Sequence, residues 1–238
     1  MQNTESSFGP RKFEGVTVFY RLLAGIVGGI AGGLIILIGV ILANSLFQAL
    51  ADPTAAVSPF AIFMGISVLF IAGLIGNGMS VFLMSLCDQD KYQNPYSGLL
   101  QVAMINIFIF VLCIPAYFLA RTIDINYMML VALVQIVTSA LASMLAFNAV
   151  TVRANEFVID IYGGFISILF GLGIAAIVAL MSSTPAPLFF GLPIIIWFSI
   201  GFFGGLTEFF YYQLYRHTGV DLLETSEDDY TDEEFDKK

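Results

Sequence analysis

The chain has 238 residues, of which 58% are hydrophobic and only 11% are charged. Soluble domains carry roughly 25% charged residues, so this composition excludes a water-soluble globular protein and favours an all-α bundle in lipid. The formal net charge of −9 is concentrated at the end of the chain, and no basic patch of the kind that binds nucleic acid is present.

Six apolar runs are each long enough to cross a bilayer, which takes roughly 20 residues in a helix. In chain order they are 22–46, 59–86, 99–119, 127–150, 157–181 and 188–212. They are too long and too uniformly apolar for barrel strands, which alternate over ~10 residues. The sequence therefore predicts a polytopic bundle of six transmembrane helices within 22–215, preceded by a short segment, 1–21, and followed by a tail, 216–238.

The positive residues predict the orientation, because cytoplasmic loops carry an excess of Lys and Arg. With six spans, one side holds eight of them: Arg11, Lys12, Arg21, Lys91, Arg153, Arg216, Lys237 and Lys238. The other side holds only Arg121. We expect both termini in the cytoplasm, and a plasma or inner membrane by default. The acidic tail is expected to be disordered and solvated, or to dock a basic partner.

Small residues recur at four-residue spacing on several of the predicted helices. Gly25, Gly29 and Gly33 do so on the first helix, and Gly201 and Gly205 on the sixth. Such stripes let helix backbones approach closely within lipid. Two interpretations stay open: the stripes pack the helices of one bundle, or they bind another membrane subunit or a second copy.

Polar residues inside the runs are costly in lipid and mark either interhelical hydrogen bonds or a functional site. They are Asn77, Asn106, Gln135, Asn148 and Glu208. A candidate polar cavity, facing the cytoplasm, is assigned to Asn77, Asn106, Asn148 and Glu208. Glu208 shares a helix face with Gly201 and Gly205, and its candidate ion-pair partners are Arg21, Arg153 and Arg216.

A second charged set lies at the start of the fifth helix. Arg153, Glu156 and Asp160 are spaced by three and four residues, which places them along one helical side. Acids are favourable near a helix N-terminus, so a helix start explains them. The alternative is a docking surface on the cytoplasmic face.

Residue patterns for catalysis or cofactor binding are missing from the sequence. His217 is the one histidine, the cysteines Cys87 and Cys113 lack metal-ligand spacing, and no phosphate-binding glycine motif or nucleophile motif occurs. We therefore expect no cofactor and no enzymatic activity. The first hypothesis is a non-catalytic subunit or scaffold of a membrane complex. The second is a transporter or channel for a small solute, or its membrane component.

Overall fold

The structure is a computed structural model that describes residues 14–42, 59–182, 184 and 186–218. Its α-helices are α1 (Gly15–Leu42), α2 (Pro59–Cys87), α3 (Pro95–Ile123), α4 (Ile125–Thr151), α5 (Ala154–Met181), α6 (Ala186–Ser199) and α7 (Gly205–Thr218). A π-helical segment, Ile200–Gly204, joins α6 to α7. These last three elements form one continuous sixth span.

Six helices of the described residues are long and apolar enough to cross a membrane, as the sequence predicted. The largest difference concerns α1, which begins at Gly15 instead of Leu22. The predicted apolar run begins immediately after Arg21, a charged residue, and such residues are expensive in lipid. Arg21 is nevertheless only 3% exposed, because it pairs with an acid inside the bundle, so it marks no helix boundary.

The breaks between helices occur where the sequence has turn residues. Asn94 adopts a left-handed backbone conformation (φ 46°) immediately before Pro95, the first residue of α3. Asp124 alone separates α3 from α4, and its carboxylate accepts a hydrogen bond from the Asn126 backbone N–H at 2.7 Å. That cap satisfies one of the unpaired amides of the first turn.

The predicted glycine stripes of α1 and the sixth span face each other. A Cβ added at Gly25 would lie 2.3 Å from the Trp197 carbonyl oxygen, and one at Gly201 would lie 2.5 Å from that of Arg21. The other stripe members, Gly29, Gly33 and Gly205, lie against Ile194, Phe190 and Val18. The stripe is thus occupied by a helix of the same chain.

A second small-residue face of α1 packs on α2. A Cβ at Gly28 would lie 2.0 Å from Ser80 Oγ, and one at Gly76 would lie 2.8 Å from Gly32 Cα. The first helix is therefore held tightly on two sides, between α2 and the sixth span. The third and fourth helices pair beside α2, and α5 packs against the sixth span. This arrangement encloses two groups of polar side chains.

Candidate functional site

Four charged side chains meet inside one end of the bundle and form what we call the ion cluster. They are Arg21 of α1, Lys91 of the α2–α3 loop, Asp160 of α5 and Glu208 of α7, and each is at most 4% exposed. Arg21 Nη1 donates to Glu208 Oε1 at 2.7 Å, and Lys91 Nζ donates to Asp160 Oδ1 at 2.6 Å. Lys91 Nζ also donates to Glu208 Oε1. The formal charges of the four groups cancel.

The two carboxylates of the ion cluster have unequal surroundings. Glu208 Oε1 accepts from both cations, Arg21 and Lys91. Asp160 contacts one cation, Lys91, and its other oxygen accepts a hydrogen bond from the neutral Asn148 amide at 2.9 Å. Since a nearby cation stabilises an anion more than a neutral donor does, Asp160 is the less strongly stabilised carboxylate.

The α2–α3 loop, residues 88–94, closes this end of the bundle, and we call it the plug. Its side chains Lys91 and Tyr92 are buried, and the Tyr92 ring lies 5.7 Å from that of Phe147. The Gln93 backbone N–H donates to the Thr151 carbonyl at 2.7 Å. Ion pairs, a ring contact and a backbone hydrogen bond therefore hold the plug against the helices.

Lys91 stays charged although it is buried. Burial alone lowers the pKa of its ammonium group, but the adjacent Asp160 and Glu208 carboxylates outweigh this effect and raise the pKa above its usual value. Burial has the opposite consequence for its neighbour, where it raises the pKa of the Tyr92 hydroxyl. Near neutral pH the plug thus presents an ammonium group and an uncharged phenol.

A second group of polar side chains, the amide cluster, lies in the middle of the bundle. It consists of Asn77 of α2, Asn106 of α3, Ser139 and Ser143 of α4, and Trp197 of α6. Trp197 Nε1 donates to Asn77 Oδ1 at 2.8 Å, and Asn77 Nδ2 donates to Ser139 Oγ at 2.6 Å. Ser139 donates to Asn106 at 3.2 Å, and Asn106 donates to Ser143 at 2.8 Å. The cluster is a neutral chain of donors and acceptors.

Two small cavities lie on the side of the amide cluster away from the ion cluster. The first, of about 20 Å³, is lined by Gly73, Asn77, Gln135, Ser139 and Trp197, among others. The second, of about 50 Å³, shares Ile36 and Leu69 with the first and is almost wholly apolar. Because one water needs roughly 10–15 Å³, the cavities hold a few water molecules at most.

The π-helical segment connects the two clusters along the chain. It begins three residues after Trp197 of the amide cluster and ends four residues before Glu208 of the ion cluster. Such segments are rare and occur frequently at functional sites. A local change in this segment would alter the rotation of Glu208 relative to Trp197.

The structure divides the four residues of the predicted cavity between the two clusters. Asn77 and Asn106 belong to the amide cluster, whereas Asn148 and Glu208 lie in or beside the ion cluster. The fifth polar residue, Gln135, accepts a hydrogen bond from the Tyr117 hydroxyl at 2.9 Å. Both cavities extend from the amide cluster towards the end opposite the ion cluster. The charge bias assigns the ion-cluster end to the cytoplasm, so the cavities do not lie on the predicted cytoplasmic side.

The predicted charge set on α5 also separates. Arg153 is exposed, the Glu156 carboxylate accepts from the Tyr212 hydroxyl at 3.2 Å, and Asp160 is buried against Lys91. Of the three arginines considered as partners of Glu208, Arg21 makes the contact. The side chain of Arg216 and the acidic tail beyond residue 218 lie outside the described residues.

Sequence reasoning missed several members of the two clusters. Lys91 was counted as a loop charge, and only the tertiary structure places it against acids distant in sequence. Ser139 and Ser143 had a detectable signal, because they follow Gln135 at four-residue spacing and form a polar stripe on α4.

Other proteins give no guide to these clusters. Comparison with protein-family models, curated proteins and solved structures finds no match to the chain. Within the part of the chain that the structure describes, no three His, Cys, Asp or Glu side chains gather as a metal site.

Proposed function

We propose that this protein carries a small neutral polar solute across the membrane, as a transporter or channel or as the membrane component of one. The observation that carries the proposal is the set of four buried charges inside one end of the bundle. Ionisable groups within a membrane are expensive and mark transport pathways by default. Replacing a buried ion pair by apolar residues is often neutral or stabilising, so packing alone gives little reason to keep these charges.

The amide cluster is the proposed solute site. Its amides, hydroxyls and indole N–H supply both donors and acceptors without a net charge, which suits an uncharged polar solute. The two cavities lie on the side of this cluster opposite the plug, and the smaller one is lined by Asn77, Ser139 and Trp197. In the closed state the polar groups of the amide cluster bond to one another instead of to a solute. Release of the plug would connect the amide cluster to the water on the plug side.

Flux through reconstituted vesicles tests this proposal. We expect proteoliposomes to take up glycerol or urea faster than protein-free vesicles in stopped-flow light scattering. Ser139→Ala, which removes a link of the amide cluster, should lower this rate several-fold. Ser167→Ala is the matched control, because Ser167 is also buried but donates to the Gly163 carbonyl of its own helix. Equal rates with and without protein, across a panel of neutral solutes, would contradict the proposal.

A non-catalytic subunit or scaffold is the second candidate function. Its support is the packing of the bundle, whose polar clusters bond among themselves and whose cavities beside the amide cluster admit only a few waters. The glycine stripes lend it less support, since they are taken up within the chain. Native mass spectrometry from nanodiscs separates the candidates, because a stoichiometric partner favours the scaffold and a bare chain favours transport.

A further inference from the structure

We infer that Asp160 is a proton-binding site and that its protonation releases the plug, so that this end of the bundle opens as pH falls. The inference rests on the proposed function, since it assigns a regulating ion to the gate of the same site. It concerns a different residue and a different ligand from the solute site. The ligand is a proton taken from the water on the plug side.

The geometry favours Asp160 over Glu208 as the group that takes the proton. Two cations contact Glu208, so protonating it would leave both Arg21 and Lys91 without that anion. Asp160 contacts one cation and one neutral amide, so its protonation removes fewer contacts between opposite charges. Asp160 also lies next to the plug, where water can arrive once the loop moves.

Protonation changes the charge of the ion cluster from zero to +1. Lys91 then loses one of its two anionic partners and shares Glu208 with Arg21, so two cations compete for one carboxylate. Like charges at such short range repel, most strongly where water is excluded. Arg21 is fixed on a packed helix, whereas Lys91 belongs to a loop, so Lys91 is the member that moves.

Other titratable groups face Asp160 from the elements packed around it. They are Arg21 on α1, Lys91 and Tyr92 on the plug, and Glu208 on α7. Asp88 belongs to the same plug, and Glu156, one turn earlier than Asp160 on α5, bonds to Tyr212. Arg21 keeps its charge at all accessible pH values. Lys91 is held charged by its two carboxylates, and Tyr92 is held neutral by burial. Acidification therefore cannot act through Arg21, Lys91 or Tyr92, which leaves the carboxylate pair Asp160 and Glu208.

The single tryptophan of the chain provides a native probe of opening. Trp197 is 1% exposed and bonded within the amide cluster, which would hydrate when the plug leaves. With the protein in nanodiscs, we expect its emission to shift to longer wavelength and its quenching by acrylamide to rise on acidification from neutral pH. Emission that is independent of pH until the protein unfolds would overturn the inference.

Variants assign the titration to Asp160. Asp160→Asn, which imitates the protonated form, should give the shifted emission at every pH. Glu156→Gln is the matched control, since it neutralises a carboxylate one turn earlier on α5, and it should titrate like the wild type. An Asp160→Asn variant that still titrates like the wild type would refute the assignment.

A milder variant covers the case in which Asp160→Asn does not fold. Asn148→Ala keeps all the charges but removes the amide that bonds to Asp160. Because this hydrogen bond stabilises the charged carboxylate, its loss should raise the pH midpoint by about one unit or more. An unchanged midpoint would exclude Asp160 as the titrating group.

The fluorescence titration requires no solute, so the two proposals fail separately. Trp197 emission that changes with pH, in a protein that gives no solute flux, would support the proton site and contradict the transport function. Solute flux together with Trp197 emission that does not change with pH would support transport and contradict the proton site.

Discussion

Lys91 serves two buried carboxylates with one ammonium group, and this makes it the most sensitive residue of the ion cluster. Lys91→Met keeps most of the side-chain volume but leaves Asp160 without the cation that contacts it. Removing one partner of a buried ion pair typically destabilises a protein by about 3–5 kcal/mol. We expect a loss of this size, measured as a lower unfolding midpoint in detergent.

Two further variants show whether the lost charge is the cause. Arg153→Gln removes an exposed charge near the same end of the bundle and should leave the unfolding midpoint nearly unchanged. Adding Asp160→Asn to Lys91→Met restores the charge balance and should recover a large part of the loss. No recovery in the double variant would mean that the Lys91 stem, and not its charge, stabilises the plug.

The residues of the ion cluster differ in how clearly the sequence predicts their burial. Glu208 is recognisable because a carboxylate inside an apolar run is costly in lipid, and Arg21 was among its predicted partners. Lys91 gives no local signal, since a lysine in a polar loop is ordinarily solvated. Its burial depends on the packing of α1, α5 and α7 around one loop, and residue spacing does not encode that packing.

Among the elements, α1 has the clearest packing signal in the sequence, because its glycines recur at four-residue spacing, as those of the sixth span do. The pattern predicts close contact but does not name the partner helix. The π-helical segment could not be predicted, because the sequence of residues 200–204 has the same apolar pattern as an ordinary transmembrane α-helix.

Glycine substitutions test the packing of α1. A Cβ at Gly29 would lie 2.6 Å from Ile194 Cα, which is backbone and cannot rotate away. Overpacking of this kind costs about 1–3 kcal/mol, so Gly29→Ala should lower the unfolding midpoint. Gly173→Ala on α5 is the matched control, because a Cβ there meets nothing within 4 Å. Alanine also favours helix by up to ~1 kcal/mol over glycine, so this variant should be neutral or slightly more stable.

The same pair of variants tests the partner-binding interpretation of the stripe. A Gly29→Ala protein that unfolds at the wild-type temperature but loses a co-purifying protein would support a stripe between chains. Loss of stability without loss of a partner is what the contacts within the chain lead us to expect.

At the scale of the whole molecule, the outer faces of the described helices are apolar, and the described charges lie inside the bundle or at helix ends and loops. Large exposed side chains such as Phe108, Leu112 and Leu169 cover the outer faces of α3 and α5. This surface suits lipid, and composition alone was enough to predict it. The interior required the structure, because neither periodicity nor charge counting shows which helices surround a polar residue.

Burial of two cations also changes the charge count on which the orientation rests. Arg21 and Lys91 are neutralised by Glu208 and Asp160, so six positive residues remain on the predicted cytoplasmic side, against Arg121 on the other. The bias keeps its sign, and we still expect both termini in the cytoplasm.

Reporter fusions measure this orientation. Green fluorescent protein at either terminus should fluoresce, and alkaline phosphatase inserted at Asp124, between α3 and α4, should be active. Because the ion cluster lies at the opposite end of the bundle from Asp124, this result would place Asp160 towards the cytoplasm, and cytoplasmic acidification would open the gate. The reverse pattern of reporter activity would contradict the predicted orientation. It would expose the plug to the outside, where external pH would control the same carboxylate.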